Sequence, residues 1–127
     1  MVTLKQLRRY AADKGKQVMK IKPEIYLVDR IKNSHINPKT KQPDTVLRSY
    51  KYIFTPEDKR KKPYMKGYQI EISKRYYEKY KNRPKELKSA ISHELAHVIV
   101  PIVHNARFRK VARRLGSDKT HLKANWD

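Results

Sequence analysis

The sequence predicts a small α+β domain, and three features of the chain support this fold class. Its 127 residues are enough for one compact domain and too few for two. Hydrophobic residues make up 38% of the chain and cluster in periodic runs, so a modest core can form. Runs with helical spacing alternate with short runs rich in β-branched and aromatic residues. We therefore expect one domain over residues 1–127, with 116–127 as a loose tail.

The first half of the chain predicts one helix and two strands. Thr3 can cap a helix over residues 3–15, in which leucine, tyrosine and alanine side chains share one face. A strand is expected at Ile25–Val28 and a second one at Val46–Phe54, because both segments are rich in β-branched or aromatic residues. Between them, residues 33–45 hold two prolines and mostly polar side chains, so a loop is expected there.

The second half predicts one strand followed by helices. A strand is expected at Tyr68–Ser73, and a short helical turn at Tyr76–Tyr80. The main helix is expected to begin at Pro84 and to run through Val100, where the next proline stops it. A last helix is expected over Asn105–Leu115, with the asparagine as its N-cap and Gly116 as its C-cap. Together these elements predict an N-terminal helix, a short antiparallel sheet and two further helices.

The charge of the chain points to a polyanionic neighbour. It carries 32 Lys and Arg against 12 Asp and Glu, a net charge of +20. Such a charge favours proximity to nucleic acid. A cluster of basic residues lies between two prolines and is expected at an exposed hairpin tip; its members are Lys59, Arg60, Lys61 and Lys62. These side chains either contact nucleic-acid phosphates or are merely solvated. Cysteine is absent, so any metal site must use His, Asp or Glu.

One motif carries specific chemistry. The residues His93-Glu94-Leu95-Ala96-His97 match the pattern H-E-x-x-H on the predicted main helix. Two histidines four residues apart project from the same helix face, so both imidazoles can reach one Zn²⁺ at roughly 2.0–2.1 Å. Glu94 lies beside the first ligand and can act as general base on a zinc-bound water. The alternative is a pair of ordinary helix histidines.

A catalytic zinc site needs a third protein ligand and an open fourth position. No glutamate follows Glu94 and no methionine follows Met65, so the gluzincin and metzincin arrangements are unavailable. The remaining downstream candidates are His104, Asp118 and His121. We predict His104, since a short chain reversal after His97 can return its imidazole to the metal. His121 and His35 are expected to be solvent-exposed histidines.

The motif and its surroundings resemble the SprT/Spartan-like metallopeptidases. The resemblance rests on Ser92–His97, on His104–Phe108 and on the basic helix that ends at Gly116, and it covers about residues 66–116. In that family a third histidine stands at the start of the helix after H-E-x-x-H, often with a phenylalanine four residues on. The resemblance implies one Zn²⁺ per chain, a zincin-like fold and cleavage of proteins bound or crosslinked to DNA. DNA, single-stranded DNA included, is therefore an expected partner.

The segment before the main helix also resembles the family. In zincins the strand preceding the active-site helix edges the cleft and pairs with extended substrate backbone. The resemblance therefore predicts a substrate-binding edge strand made of Gln69, Ile70, Glu71 and Ile72. Nearby tyrosines could donate to an oxyanion, stack on unpaired bases or pack in the core; they are Tyr64, Tyr68, Tyr76, Tyr77 and Tyr80.

The sequence thus favours a zinc metallopeptidase acting on proteins on or near DNA, and two alternatives stay open. One is a metal-dependent ribonuclease, since some RNA-maturation hydrolases carry a similarly spaced histidine triad. The other is a nucleic-acid-binding module with structural zinc, in which His121 supplies a fourth ligand. The absence of cysteine and of an apolar leader predicts an intracellular location, cytoplasmic or nucleoid-associated. No membrane partner is expected, because no apolar run approaches about 18 residues.

Overall fold

The structure is a computed structural model that describes residues 1–29, 31, 38–39, 46–100 and 104–117. Within these ranges it is a mixed α+β fold with four helices and three strands. In chain order the elements are α1 (Leu4–Gly15), β1 (Glu24–Val28), β2 (Leu47–Phe54), β3 (Tyr64–Ser73), α2 (Lys74–Tyr80), α3 (Pro84–Ala96) and α4 (Ala106–Arg114). Every predicted helix and strand is therefore present, and β3 begins four residues earlier than predicted.

The three strands form one sheet in the order β1-β3-β2. Strand β2 pairs with β3 in the antiparallel sense, from Leu47 opposite Ile72 to Phe54 opposite Tyr64. Strand β1 pairs with β3 in the parallel sense, with Glu24 opposite Gln69. The predicted antiparallel pairing is correct for β2 and β3 and wrong for β1. Strands β2 and β3 are joined as an antiparallel hairpin, and β1 pairs with the other side of β3 in the same direction as β3.

The central position of β3 also makes the predicted substrate edge wrong. Its residues Gln69, Ile70, Glu71 and Ile72 are paired on both sides, with β1 and with β2. Ile70 and Ile72 are fully buried. A strand that is paired on both sides has no free backbone groups for a substrate peptide. Among the described strands, the edges of the sheet are β1 and β2.

Local capping signals place the helix starts as predicted. The Thr3 hydroxyl accepts the Gln6 backbone N–H, and the Gln6 side chain accepts the Thr3 N–H, which completes a capping box. Pro84 occupies the first turn of α3. At the other end of the chain, Gly116 follows α4 with φ of 99°, a left-handed conformation that favours glycine.

Helix α3 ends at Ala96, four residues before the predicted end. The backbone N–H groups of Val98 and Ile99 bond to carbonyls three residues back, at Leu95 and Ala96. These shorter-range bonds tighten the chain into turns, as commonly happens at helix C-termini. The helix therefore ends just before His97, and the β-branched run Val98–Val100 forms turns. Pro101, the predicted stop, lies outside the described residues.

The core lies between one face of the sheet and helices α1, α3 and α4. Helix α1 contacts β1 and α3, while α3 also contacts β2 and α4. The Tyr10 and Ser92 hydroxyls are 2.7 Å apart, and the Ser92 hydroxyl donates to the Leu115 carbonyl, so three helical segments are linked by hydrogen bonds. The largest fully buried side chains include Tyr68, Phe108, Leu7, Ile25, Leu87, Ile91 and Leu95. Across the described helices, none has the length and hydropathy needed to cross a bilayer.

Candidate metal centre

Three histidines from two helix ends meet at one point of the fold. His93 lies in the last turn of α3, His97 caps that helix, and His104 stands just before α4. Each offers one ring nitrogen, and these atoms all lie within 4.8 Å of one another. His93 is buried, and the other two are half-buried. The three residues predicted from the motif and its downstream histidine are therefore brought together, and they could hold a metal ion.

The spacing of two of these nitrogens fits a shared metal ion. The Nε2 atoms of His93 and His104 are 3.3 Å apart. Two nitrogen ligands at the usual distances from a tetrahedral zinc are separated by about 3.3–3.4 Å. In one tautomer the two rings share a hydrogen bond at this distance. With both Nε2 lone pairs directed inward, the same spacing and the three-nitrogen donor set fit a zinc ion.

His97 is held in one orientation by the turn that follows it. Its Nδ1 lies 3.0 Å from the Val100 carbonyl oxygen. Because a carbonyl oxygen only accepts, Nδ1 carries the proton and the lone pair is left on Nε2. Burial lowers the pKa of His97, and the nearby Lys51 ammonium lowers it further, while the bond to Val100 opposes them. The neutral form, which is the one that binds metal, is favoured.

Phe108 packs against all three imidazoles. Its ring centroid lies 4.9 Å from that of His93, 4.5 Å from that of His97 and 4.9 Å from that of His104. The phenyl ring is fully buried, so it fixes the side of the cluster that faces the core. Phe108 stands four residues after His104 in the sequence. That spacing alone does not predict its contact with all three imidazoles.

The start of α4 determines where His104 stands. The Asn105 side chain accepts the Phe108 backbone N–H at 3.0 Å, which is a standard N-cap bond. The cap fixes the first turn of the helix, and His104 is the residue immediately before it. One asparagine therefore helps to place both His104 and Phe108 at the cluster.

Glu94 is buried beside the histidines and does not belong to the group of possible ligands. Its carboxylate accepts a hydrogen bond from the Ser49 hydroxyl on β2. Burial raises the pKa of Glu94 to about 7, although the Ser49 bond and the positive charge of Arg48 act in the opposite direction. A carboxyl group with a pKa near neutral pH is suited to accept and release protons.

Two partners of Glu94 were not predicted from the sequence. The Tyr68 hydroxyl donates to the Glu94 backbone carbonyl, and Tyr68 itself is buried under α3. Ser49 contacts both the Glu94 carboxylate and the Tyr68 hydroxyl. These contacts join residues from β2, β3 and α3 that are distant in sequence. The only local signal is that Ser49 is the one small polar residue in β2, which is too weak to assign a role.

Comparison with protein-family models, with curated proteins and with solved structures gives no match for this chain. The assignment of chemistry therefore rests on the residues and their geometry.

The other predicted site residues lie away from the cluster of histidines. The basic residues 59–62 are exposed on the connection between β2 and β3, as predicted. Of the tyrosines, Tyr76 is in the core, Tyr77 donates to the Val2 carbonyl, and Tyr64 is exposed. The alternative histidine and aspartate candidates lie outside the described residues; they are His35, Asp118 and His121.

Proposed function

We propose that this chain is a zinc-dependent metallopeptidase of the SprT-like kind, which cleaves proteins on or near DNA. The observation that carries the proposal is the meeting of His93, His97 and His104 beside a buried glutamate. Three histidines form a known catalytic ligand set, whereas structural zinc sites usually have four protein ligands. In residues 1–29, 46–100 and 104–117, no fourth His, Asp or Glu joins the group.

Zinc bound at this site supplies Lewis-acid chemistry, which acidifies a water molecule and polarises a carbonyl group. Glu94 would accept the proton of the attacking water on a carboxylate oxygen. The water oxygen bonds to the peptide carbonyl carbon, and the carbon–nitrogen bond then breaks. Glu94 returns the proton to the departing amine nitrogen, so it acts first as base and then as acid. Ser49 would hold the carboxylate in position through its hydrogen bond.

Strand β2 replaces β3 as the candidate surface for the substrate backbone. It is an edge strand among the described strands, and its Ser49 contacts Glu94. Lys51 on the same strand donates to the Val98 carbonyl at 3.1 Å, which ties this strand to the turn after His97. Extended peptides commonly bind by adding a strand to a free sheet edge. A peptide paired with β2 would run close to Glu94.

The charge of the chain supports a DNA-associated substrate. The net charge is +20, and α4 carries five basic residues and no acidic one directly after His104. Positive charge close to the metal centre would attract nucleic acid and any protein attached to it.

The experiment compares the intact chain with two variants, using fluorescently labelled casein in the presence and absence of single-stranded DNA. Glu94→Gln should abolish cleavage while it keeps bound zinc, because it removes the base and leaves the ligands. Glu78→Gln is the matched control, since Glu78 is an exposed acid on α2 that pairs with Lys81. Cleavage by Glu94→Gln at the wild-type rate would overturn the proposal. Metal-dependent cleavage of labelled RNA in place of casein would favour a ribonuclease.

A further inference from the structure

The exposed large apolar side chains of this protein are concentrated on its sheet. Apart from Met1, all of those in the described residues lie on β1, β2 or β3. Four are aromatic: Tyr26 is 42% exposed, Tyr52 47%, Phe54 43% and Tyr64 56%. Exposed aromatic surface of this kind commonly marks an interaction site.

These aromatic residues share the sheet face that points away from the helices. Along β2, Leu47 is buried and Ser49 contacts Glu94, so Tyr50, Tyr52 and Phe54 alternate onto the opposite face. The register passes from Tyr52–Gly67 to Ile53–Met65, which makes Lys66 an extra residue on β3 and leaves the alternation of β2 unbroken. We call the set Tyr26, Tyr50, Tyr52, Phe54 and Tyr64 the aromatic face.

Contacts within the sheet fix the positions of three rings of the aromatic face before any ligand binds. The Tyr52 ring lies across Gly67, where an added Cβ would be 3.2 Å from the ring, and its hydroxyl donates to Gln69. Phe54 and Tyr64 face each other across the two strands with ring centroids 5.3 Å apart. Because β1 pairs with β3 only from Gln69 to Ser73, these rings stand on a two-stranded ribbon that extends beyond β1.

The ribbon ends in a basic loop. Residues 55–63 contain four basic and two acidic side chains, and Asp58 pairs with Arg60 at 3.4 Å. Further acids on the aromatic face lie toward β1: Glu71 is opposite Arg48, and Glu24 accepts the Tyr26 hydroxyl. A polyanion is therefore favoured at the loop end of the ribbon, next to Tyr52, Phe54 and Tyr64.

We propose that the aromatic face and the loop Lys59–Lys62 bind single-stranded nucleic acid. Unpaired bases would stack on Tyr52, Phe54 and Tyr64, while the lysines contact the phosphates. A duplex already stacks its bases on one another, so it offers the ribbon only its backbone charge. The proposal goes beyond the metal centre, because these rings lie on the opposite face of the sheet from Ser49 and Tyr68, which contact Glu94.

The test is fluorescence anisotropy of the intact, zinc-loaded chain with labelled oligothymidylate, oligouridylate and a duplex of the same length. We expect tighter binding of the single strands than of the duplex, and the two single strands show whether DNA or RNA is preferred. Tyr52→Leu and Phe54→Leu should each weaken single-strand binding by about fivefold or more, since they keep apolar surface but remove the stacking ring. Ile53→Ala is the matched control, because Ile53 is 54% exposed on the same strand and has no ring.

Three results would overturn the proposal. Equal affinity for the duplex would show that backbone charge alone explains binding. Unchanged single-strand binding by both leucine variants would exclude stacking on the ribbon. Self-association that both leucine variants abolish, without single-strand binding, would make this face a contact between copies of the chain. Single-strand binding is measured without casein and does not depend on cleavage, so a failure of the peptidase proposal does not affect this result.

Discussion

The Nε2 atoms of His93 and His104 lie 3.3 Å apart, although one belongs to α3 and the other precedes α4. The two residues are eleven positions apart in the chain, and tight turns begin directly after Ala96. This approach places three imidazoles around one point, with Glu94 beside them.

Removal of the metal should destabilise the protein. A ligand that binds only the folded state adds about 2.7 kcal/mol to the free energy of unfolding when its free concentration is a hundred times its dissociation constant. For a domain of this size that corresponds to a melting temperature lowered by on the order of 10 °C on chelation. His97→Ala should melt lower than the wild type and should not respond to the chelator. The measurement is a thermal melt with and without chelator, and restoration by added zinc is the control.

Substitution of Phe108 should weaken metal binding as well as folding. Phe108→Ala leaves a cavity in the core and should cost about 3–5 kcal/mol of unfolding free energy. Phe108→Leu keeps the site filled but removes the ring that contacts all three imidazoles, so zinc affinity should fall by about tenfold. Urea unfolding and zinc titration check the two effects. Val111→Ala is the control, because it shortens another buried side chain of α4 without removing an aromatic ring. If Val111→Ala lost as much zinc affinity as Phe108→Leu, a specific role for the Phe108 ring would be contradicted.

Loss of the α4 cap should affect both stability and the metal site. Asn105→Ala removes the acceptor of the Phe108 N–H and should lower the unfolding free energy by about 1 kcal/mol. Because His104 precedes this cap, zinc affinity should fall too. Asn105→Asp retains an acceptor and should behave like the wild type. Urea unfolding and zinc titration of both variants decide whether the cap positions the ligand.

Ser49 should matter for turnover and not for metal content. Ser49→Ala removes the hydrogen bond to the Glu94 carboxylate, and such bonds to charged groups are worth about 1.5–3 kcal/mol. We expect kcat/KM for casein cleavage to fall about tenfold or more while bound zinc is unchanged. Ser49→Thr keeps the hydroxyl and should restore most of the activity. If Ser49→Ala cleaved casein with wild-type kinetics, the proposed role of Ser49 in positioning Glu94 would be contradicted.

The features predicted correctly depend on neighbouring residues. Thr3 and Gln6 cap α1, Pro84 opens α3, and Asn105 caps α4, and each signal lies within one helical turn. The two motif histidines follow from the helix period in the same way. His104 follows by elimination among the downstream residues that can serve as ligands.

The features predicted wrongly or missed depend on distant contacts. Whether β3 lies at an edge or in the centre is decided by where β1 and β2 pair with it, which the alternation within Tyr64–Ser73 does not encode. The end of α3 is an exception, because it is set by local turns that position His97 against Val100. The contact of Ser49 with Glu94 joins residues more than forty positions apart, and no local pattern reports it.

Zinc content by elemental analysis tests the central claim most directly. The intact chain and His104→Ala are purified without added metal, with His121→Ala as a matched histidine control. The three-histidine site predicts about one zinc per chain in the wild type and in His121→Ala, and far less in His104→Ala. A wild-type chain that neither contains nor takes up zinc would contradict the claim, and so would full zinc content in His104→Ala.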